Sequence, residues 1–190
     1  MTVAVLTGVP GVGATTVAEK ANEALEERGA GYEVVSFGTE MLETARDEGL
    51  VEERDEMRKL PSDEQKRVQE KAGERIAERA EDTNIMVDTH CTIKTPEGYL
   101  PGLPEWVLDA LQPDTVVLVE ATPDEILFRR LDDETRTRDM ENTEELATHQ
   151  DMNRNAAMSY ATLTGATVKI VENPDGGVGE AAEELVDALA

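Results

Sequence analysis

The segment Gly8-Val9-Pro10-Gly11-Val12-Gly13-Ala14-Thr15-Thr16 restricts this chain more than any other. It follows a short β-branched run, residues 2–7, and precedes a helical pattern in which Val17, Ala18, Ala21 and Leu25 share one face. A strand that passes through three glycines into a helix can curl consecutive backbone N–H groups around one cavity. The helix N-terminus adds positive potential at the same place. The spacing matches G-x-x-x-x-G-K-[ST], with Ala14 where the lysine stands and Thr15 where a hydroxyl would meet Mg²⁺. This predicts a phosphate cradle; the plainer alternative is a glycine-rich turn. With no lysine, a catalytic version must draw cationic charge from elsewhere.

Further apolar runs at 32–37, 85–87, 115–119 and 167–171 read as strands. They alternate with helical patterns near 40–48, 62–81, 105–111, 123–131, 142–163 and 178–189. Three helix starts carry capping patterns: Ser62 with Gln65, Thr122-Pro123 with Glu125, and Asn142 with Glu145. The Pro- and Gly-rich segment 89–104 reads as a long loop, of a length that is often functional. Strand–helix alternation predicts a single α/β domain. Its five-stranded parallel sheet carries helices on both faces, and ligands sit at the C-terminal strand ends.

The 190 residues carry 42 acidic and 18 basic side chains, a net charge of −24. Such a field repels phosphate backbones and anionic lipid, so neither nucleic acid nor membrane is an expected partner. One cysteine, Cys91, leaves no internal disulfide and suits a reducing, cytoplasmic location. No run approaches a spanning helix, and residues 1–6 lack the basic start of a signal peptide. Lysine is scarce and aromatics make up only 3%, a pattern similar to proteins of salt-accumulating halophiles; the alternative is ordinary acidity. The helix at 62–81 mixes both signs of charge and is the least repulsive long surface in the chain.

Arg129, Arg130, Arg136, Arg138 and Arg154 fall within 26 residues of a chain short of cations. Guanidinium groups bind phosphate oxygens bidentately, although some of these, Arg130 among them, can instead pair with neighbouring acids. A second basic cluster holds Arg54, Arg58 and Lys59. Asp88 ends a strand where a carboxylate faces the ligand crevice and can hold Mg²⁺; the alternative is a carboxylate that caps loop N–H groups. His90 and Cys91 read as structural or nucleotide-lining, and His149 as a solvent-facing helix residue.

Taken in order, these residues resemble the archaeal-type adenylate kinases. The similarity runs through residues 8–16, Phe37-Gly38-Thr39-Glu40-Met41, Arg54-Asp55, Met57-Arg58-Lys59-Leu60 and Val87-Asp88-Thr89-His90. It continues through Gly98-Tyr99-Leu100-Pro101-Gly102, Asp124-Glu125-Ile126-Leu127, Arg129-Arg130-Leu131, Arg136, Arg138-Asp139 and His149-Gln150. The resemblance implies a P-loop nucleoside-monophosphate-kinase fold over residues 1–190, with an AMP-binding part near 38–82 and a short lid near 131–141. It implies the Mg²⁺-dependent reaction ATP + AMP = 2 ADP and a homotrimer. ATP would lie on Gly8, Val9, Pro10, Gly11, Val12, Gly13, Ala14, Thr15, Thr16 and Arg129. AMP would lie on Gly38, Thr39, Arg58, Thr89 and His90, with the arginine assigned by inference and Arg54 second to it. Thr15 and Asp88 would serve the metal, and Arg136, Arg138 and Arg154 would act on the transferred phosphoryl group. Two rival readings are a cytidylate kinase and a non-catalytic nucleotide sensor or switch GTPase. The switch is disfavoured because Asn173-Pro174-Asp175 lacks the lysine of a guanine motif.

Overall fold

Every residue of strand β1 (Val3–Thr7) is buried, so this strand must be covered on both faces and belongs at the centre of a sheet. The computed structural model, which describes residues 1–132 and 141–189, places it there. β1 pairs in parallel with β3 (Ile85–Thr89) and β6 (Thr115–Glu120). β2 (Glu33–Ser36) and β7 (Thr167–Glu172) complete the order β2-β3-β1-β6-β7, also in parallel. Alternate residues of β1 feed two separate cores, since successive side chains point to opposite faces. Ala4 and Leu6 pack with α1 (Ala14–Glu27) and α8 (Val178–Leu189). Val3 and Val5 pack with α4 (Ser62–Arg79), α5 (Glu105–Leu111) and α7 (Thr143–Thr164). The five-stranded parallel α/β architecture is the one the alternation predicts.

A smaller cluster of Ala45, Val51 and Val68 joins α4 to α2 (Phe37–Asp47). These helices are also clamped electrostatically. The Glu40 carboxylate, 4% exposed, lies 3.0 Å from Arg75 Nε and 2.6 Å from Arg79 Nη2. Arg67 and Lys71 of α4 both pair with Glu48. Arg67, Lys71, Arg75 and Arg79 of α4 are thus each engaged by a carboxylate of the same chain.

Three expectations are corrected. The long loop at 89–104 contains an antiparallel hairpin, β4 (Thr92–Thr95) and β5 (Gly98–Pro101). Ser62 does not cap α4: Pro61 holds the cap position, and the Gln65 side chain donates to the Leu60 carbonyl instead. The polar connection near Arg54 contains a short helix, α3 (Arg54–Met57), capped by Glu53 with Glu56. The other two caps form as the sequence predicts. Thr122 and Glu125 bond reciprocally at the start of α6 (Pro123–Asp132), and Asn142 with Glu145 at the start of α7. Among the described residues no helix is long and apolar enough to cross a membrane.

Candidate active site

The glycine loop leaves β1 at the C-terminal edge of the sheet and enters α1 at Ala14. A Cβ on Gly8 would lie 2.7 Å from the Val119 carbonyl, so no larger residue fits there, and Gly13 sits at φ +86°, where other residues are strained. Side chains pin the loop through its carbonyls. His90 Nδ1 is 3.3 Å from the Gly8 carbonyl, Arg130 Nε donates to that of Pro10 at 2.6 Å, and Arg129 Nη1 and Asn173 Nδ2 donate to that of Val12 at 3.1 and 2.9 Å. In a trans peptide the N–H points away from the preceding carbonyl. Fixing these three carbonyls therefore also fixes the N–H groups of Val9, Gly11 and Gly13 on the opposite side of each peptide plane, and an anion cradle needs such preset N–H groups. Arginine charge also lies against a loop that has no lysine.

Thr15 Oγ1 donates to Asp88 Oδ2 at 3.0 Å across the cleft floor. Burial pushes the Asp88 carboxyl above its ordinary value, and the Thr15 bond and His90 only partly offset this. A desolvated carboxylate beside a hydroxyl, next to a phosphate cradle, suits a hard cation with oxygen ligands. Among the described residues no group of three or more acidic, His or Cys side chains could hold such an ion alone. The pair fits Mg²⁺ that takes its remaining ligands from phosphate and water.

The cleft has a volume of about 800 Å³, and residues 8–16 line one part of it. Gly38, Thr39, Asp88, Thr89, His90 and Arg129 line it as well. So does Arg54, whose Nη2 donates to Thr39 Oγ1 at 3.3 Å and whose guanidinium faces Gly38. Arg58, the arginine expected to hold AMP, is not among the lining residues, because α3 carries Arg54 to the cleft and ends before Arg58. Ile93 of the hairpin and Gly102 also line the cleft. Both fall in the segment expected to be a functional loop, and the β-branched pair Thr92-Ile93 is the sequence signal for the strand that carries one of them.

Arg154 is likewise absent from the lining. Its Nε and Nη2 form a fork with Glu120 at 2.8 and 2.5 Å, and Nη1 reaches Asp151. Its guanidinium is thus engaged by two carboxylates outside the cleft lining. Arg136 and Arg138 lie outside the described residues. Arg129 lines the cleft while its nitrogens also hold Asp175 and the Asn173 carbonyl. Burial pushes the Cys91 thiol up to about 12, the Thr7 hydroxyl only partly opposing it, so Cys91 is no nucleophile. His149 is not solvent-facing: it is 3% exposed inside the fold.

Loop amides at the sheet edge, a hydroxyl–carboxylate pair beside them and an arginine on a second arm are what a P-loop kinase needs to align two phosphorylated ligands. Residues 7–147 match the family model described as AAA domain. A shikimate kinase from Bacteroides thetaiotaomicron superposes with a TM-score of 0.55 over 99% of this chain and 98% of its own, at 16% identity, which supports the fold alone. The adenylate kinase of Methanocaldococcus jannaschii is 61% identical over 187 residues, 98% of this chain and 97% of its own. That of Methanococcus aeolicus is 57% identical, covering 97% and 96%. That of Methanothermobacter thermautotrophicus is 53% identical over the full length of both. The chain belongs to the adenylate kinase family, phosphotransferases with a phosphate-group acceptor.

Proposed function

We propose that this cleft catalyses reversible phosphoryl transfer, ATP + AMP = 2 ADP, and so balances adenine nucleotides. The observation that carries the reading is one cavity lined by both the phosphate loop and the Gly38–Thr39–Arg54 arm. Loop amides and Arg129 hold ATP; Gly38, Thr39, Thr89, His90 and Arg54 receive AMP, with Arg58 a second candidate. Thr15 and Asp88 would hold Mg²⁺, which when bound would supply charge neutralisation at the phosphate oxygens. Arg136 and Arg138 are assigned to the transferred phosphoryl group by the chemistry of guanidinium and by family resemblance. The protein's part is positioning and charge neutralisation, with no covalent enzyme intermediate.

Three finer readings accompany this one. A cytoplasmic location is supported by a single buried free cysteine. A homotrimer is supported by the family resemblance and by apolar side chains left exposed on α7 and β7, namely Met158, Leu163 and Ile170. Salt adaptation is supported by the net charge of −24. A coupled assay with AMP, CMP, UMP and GMP, run at low and molar KCl, tests the function. Turnover with AMP well above the others is expected. Preference for CMP would make it a cytidylate kinase, and no turnover with any acceptor would make it a nucleotide sensor.

A further inference from the structure

Behind the phosphate loop lies a charged cluster with no assigned role. Arg130, Glu141 and His149 are 9%, 6% and 3% exposed, and none of them lines the cleft. Arg130 Nε donates to the Pro10 carbonyl at 2.6 Å, and its Nη1 donates to Glu141 Oε2 at 2.9 Å. The other oxygen of Glu141 is 3.3 Å from His149 Nδ1 and 3.3 Å from Lys94 Nζ. His149 Nε2 in turn lies 3.3 Å from the Thr92 carbonyl. Tyr99 packs against the His149 ring at 5.2 Å between centroids. Both strands of the hairpin therefore meet the cluster, and the hairpin itself carries Ile93 into the cleft.

Buried charge of this kind is a weak source of stability, because removing two or more charged groups from water offsets most of their mutual attraction. Its stronger use is to fix one arrangement among several, since Nε and Nη1 of Arg130 and both oxygens of Glu141 are engaged at once in this geometry. Burial opposes ionisation of Glu141, yet Arg130, His149 and Lys94 together hold its carboxyl below the ordinary value.

We propose that Glu141 is the junction of a positioning relay: through Arg130 it sets the phosphate loop at Pro10, and through His149 it ties that loop to the β4–β5 hairpin. Arg130, Glu141 and His149 are positioning residues, and none lines the cleft. The relay fixes which way the Pro10 carbonyl points, hence how the Gly11 N–H meets phosphate. ATP affinity then depends on His149, a residue that lines no part of the cleft. The inference rests on ATP lying on this loop.

The test uses the full-length protein as wild type, Arg130→Lys, Glu141→Gln, His149→Gln and the Arg130→Lys/His149→Gln pair. Lysine keeps the charge at position 130 but cannot hold two acceptors as a planar fork does. Calorimetric titration with ATP gives Kd, and steady-state kinetics give KM for each nucleotide. Each single change should raise the Kd for ATP by about 5- to 50-fold while moving the KM for AMP by less than about twofold. His149→Gln should add nothing once Arg130 is lysine, because the relay is already cut. Folded variants with unchanged ATP affinity would overturn the relay, and so would a His149→Gln effect that persists in full beside Arg130→Lys. If Glu141→Gln does not fold, the His149 and Arg130 variants and their pair still decide. A wild type that fails to bind ATP would instead overturn the functional reading beneath the relay.

Discussion

Thr15 Oγ1 and Asp88 Oδ2 lie 3.0 Å apart, joining the first turn of α1 to the end of β3 across 73 positions of sequence. Burial makes the Asp88 carboxylate unfavourable in the absence of a bound cation. Function and stability therefore pull in opposite directions at this position. Asp88→Asn should lower kcat by about 10²- to 10³-fold, as loss of a charge-organising group does. Its melting temperature should match or exceed the wild type's. Activity across a Mg²⁺ series and a thermal melt check both halves, and an active but less stable variant would contradict the assignment.

The missing lysine gives a second prediction. Arg129 and Arg130 already place guanidinium nitrogens 3.1 and 2.6 Å from loop carbonyls. Ala14→Lys should then raise activity by less than about tenfold, or 1.4 kcal/mol of transition-state stabilisation. A gain of several orders of magnitude would mean that the native loop is impaired.

On the AMP arm, Arg54 and Arg58 are four residues apart but differ in access, because only Arg54 lines the cleft. Arg54→Ala should raise the KM for AMP by about 10- to 100-fold, the worth of a hydrogen bond to a charged group. Arg58→Ala should do much less. The opposite ranking would restore the assignment made from sequence. Saturation curves in AMP at fixed ATP separate the two.

The parts of this fold legible in sequence are those whose signals are local. β1, β3 and β6 announce themselves as unbroken apolar runs, and Asn142 and Thr122 carry caps that depend only on residues three positions on. What stays hidden depends on distant partners. His149 looks like any polar helix residue until Glu141 and the Thr92 carbonyl meet its ring nitrogens. Arg154 reads as a phosphate ligand until Glu120, 34 positions away, takes its fork. The same holds at Ser62, where a correct capping pattern loses to the bond between Gln65 and Leu60.

Glu125 predicts an acid-labile joint. The Thr122 hydroxyl bonds its carboxylate, as do the N–H groups of Asp175 and Thr122, and together they hold its pKa down to about 2 from 4.5. A carboxyl with a depressed folded value stabilises the fold fully above its unfolded value and loses that contribution as pH falls towards the folded one. Glu125→Gln should therefore be less stable than wild type near pH 6, and the two should converge as pH falls from about 4.5 to 2. Urea melts across that interval measure the gap, and a constant gap would show that Glu125 acts only through its neutral hydrogen bonds.

The last prediction concerns assembly in salt. A protomer of net charge −24 resists association in dilute buffer, since each added copy concentrates like charge. The cations of α4 do not relieve this. Arg67 pairs with Glu48 at 3.1 Å, Arg75 with Asp47 at 2.9 Å and Arg79 with Glu40 at 2.6 Å, all within one chain. Attraction between copies must then come mainly from apolar surface, of which Met158, Leu163 and Ile170 remain 57%, 58% and 41% exposed. Apolar burial is insensitive to screening at short range, whereas the opposing repulsion extends over a Debye length of about 10 Å at 0.1 M and 3 Å at 1 M. A trimer should therefore form in molar KCl and loosen as salt falls. Leu163→Glu should weaken it at every concentration, because it adds charge where apolar contact is needed. Light scattering across a KCl series reads the outcome directly. A monomer throughout would refute the trimer, and a trimer indifferent to salt would refute the salt-adapted surface while leaving the enzyme assignment intact.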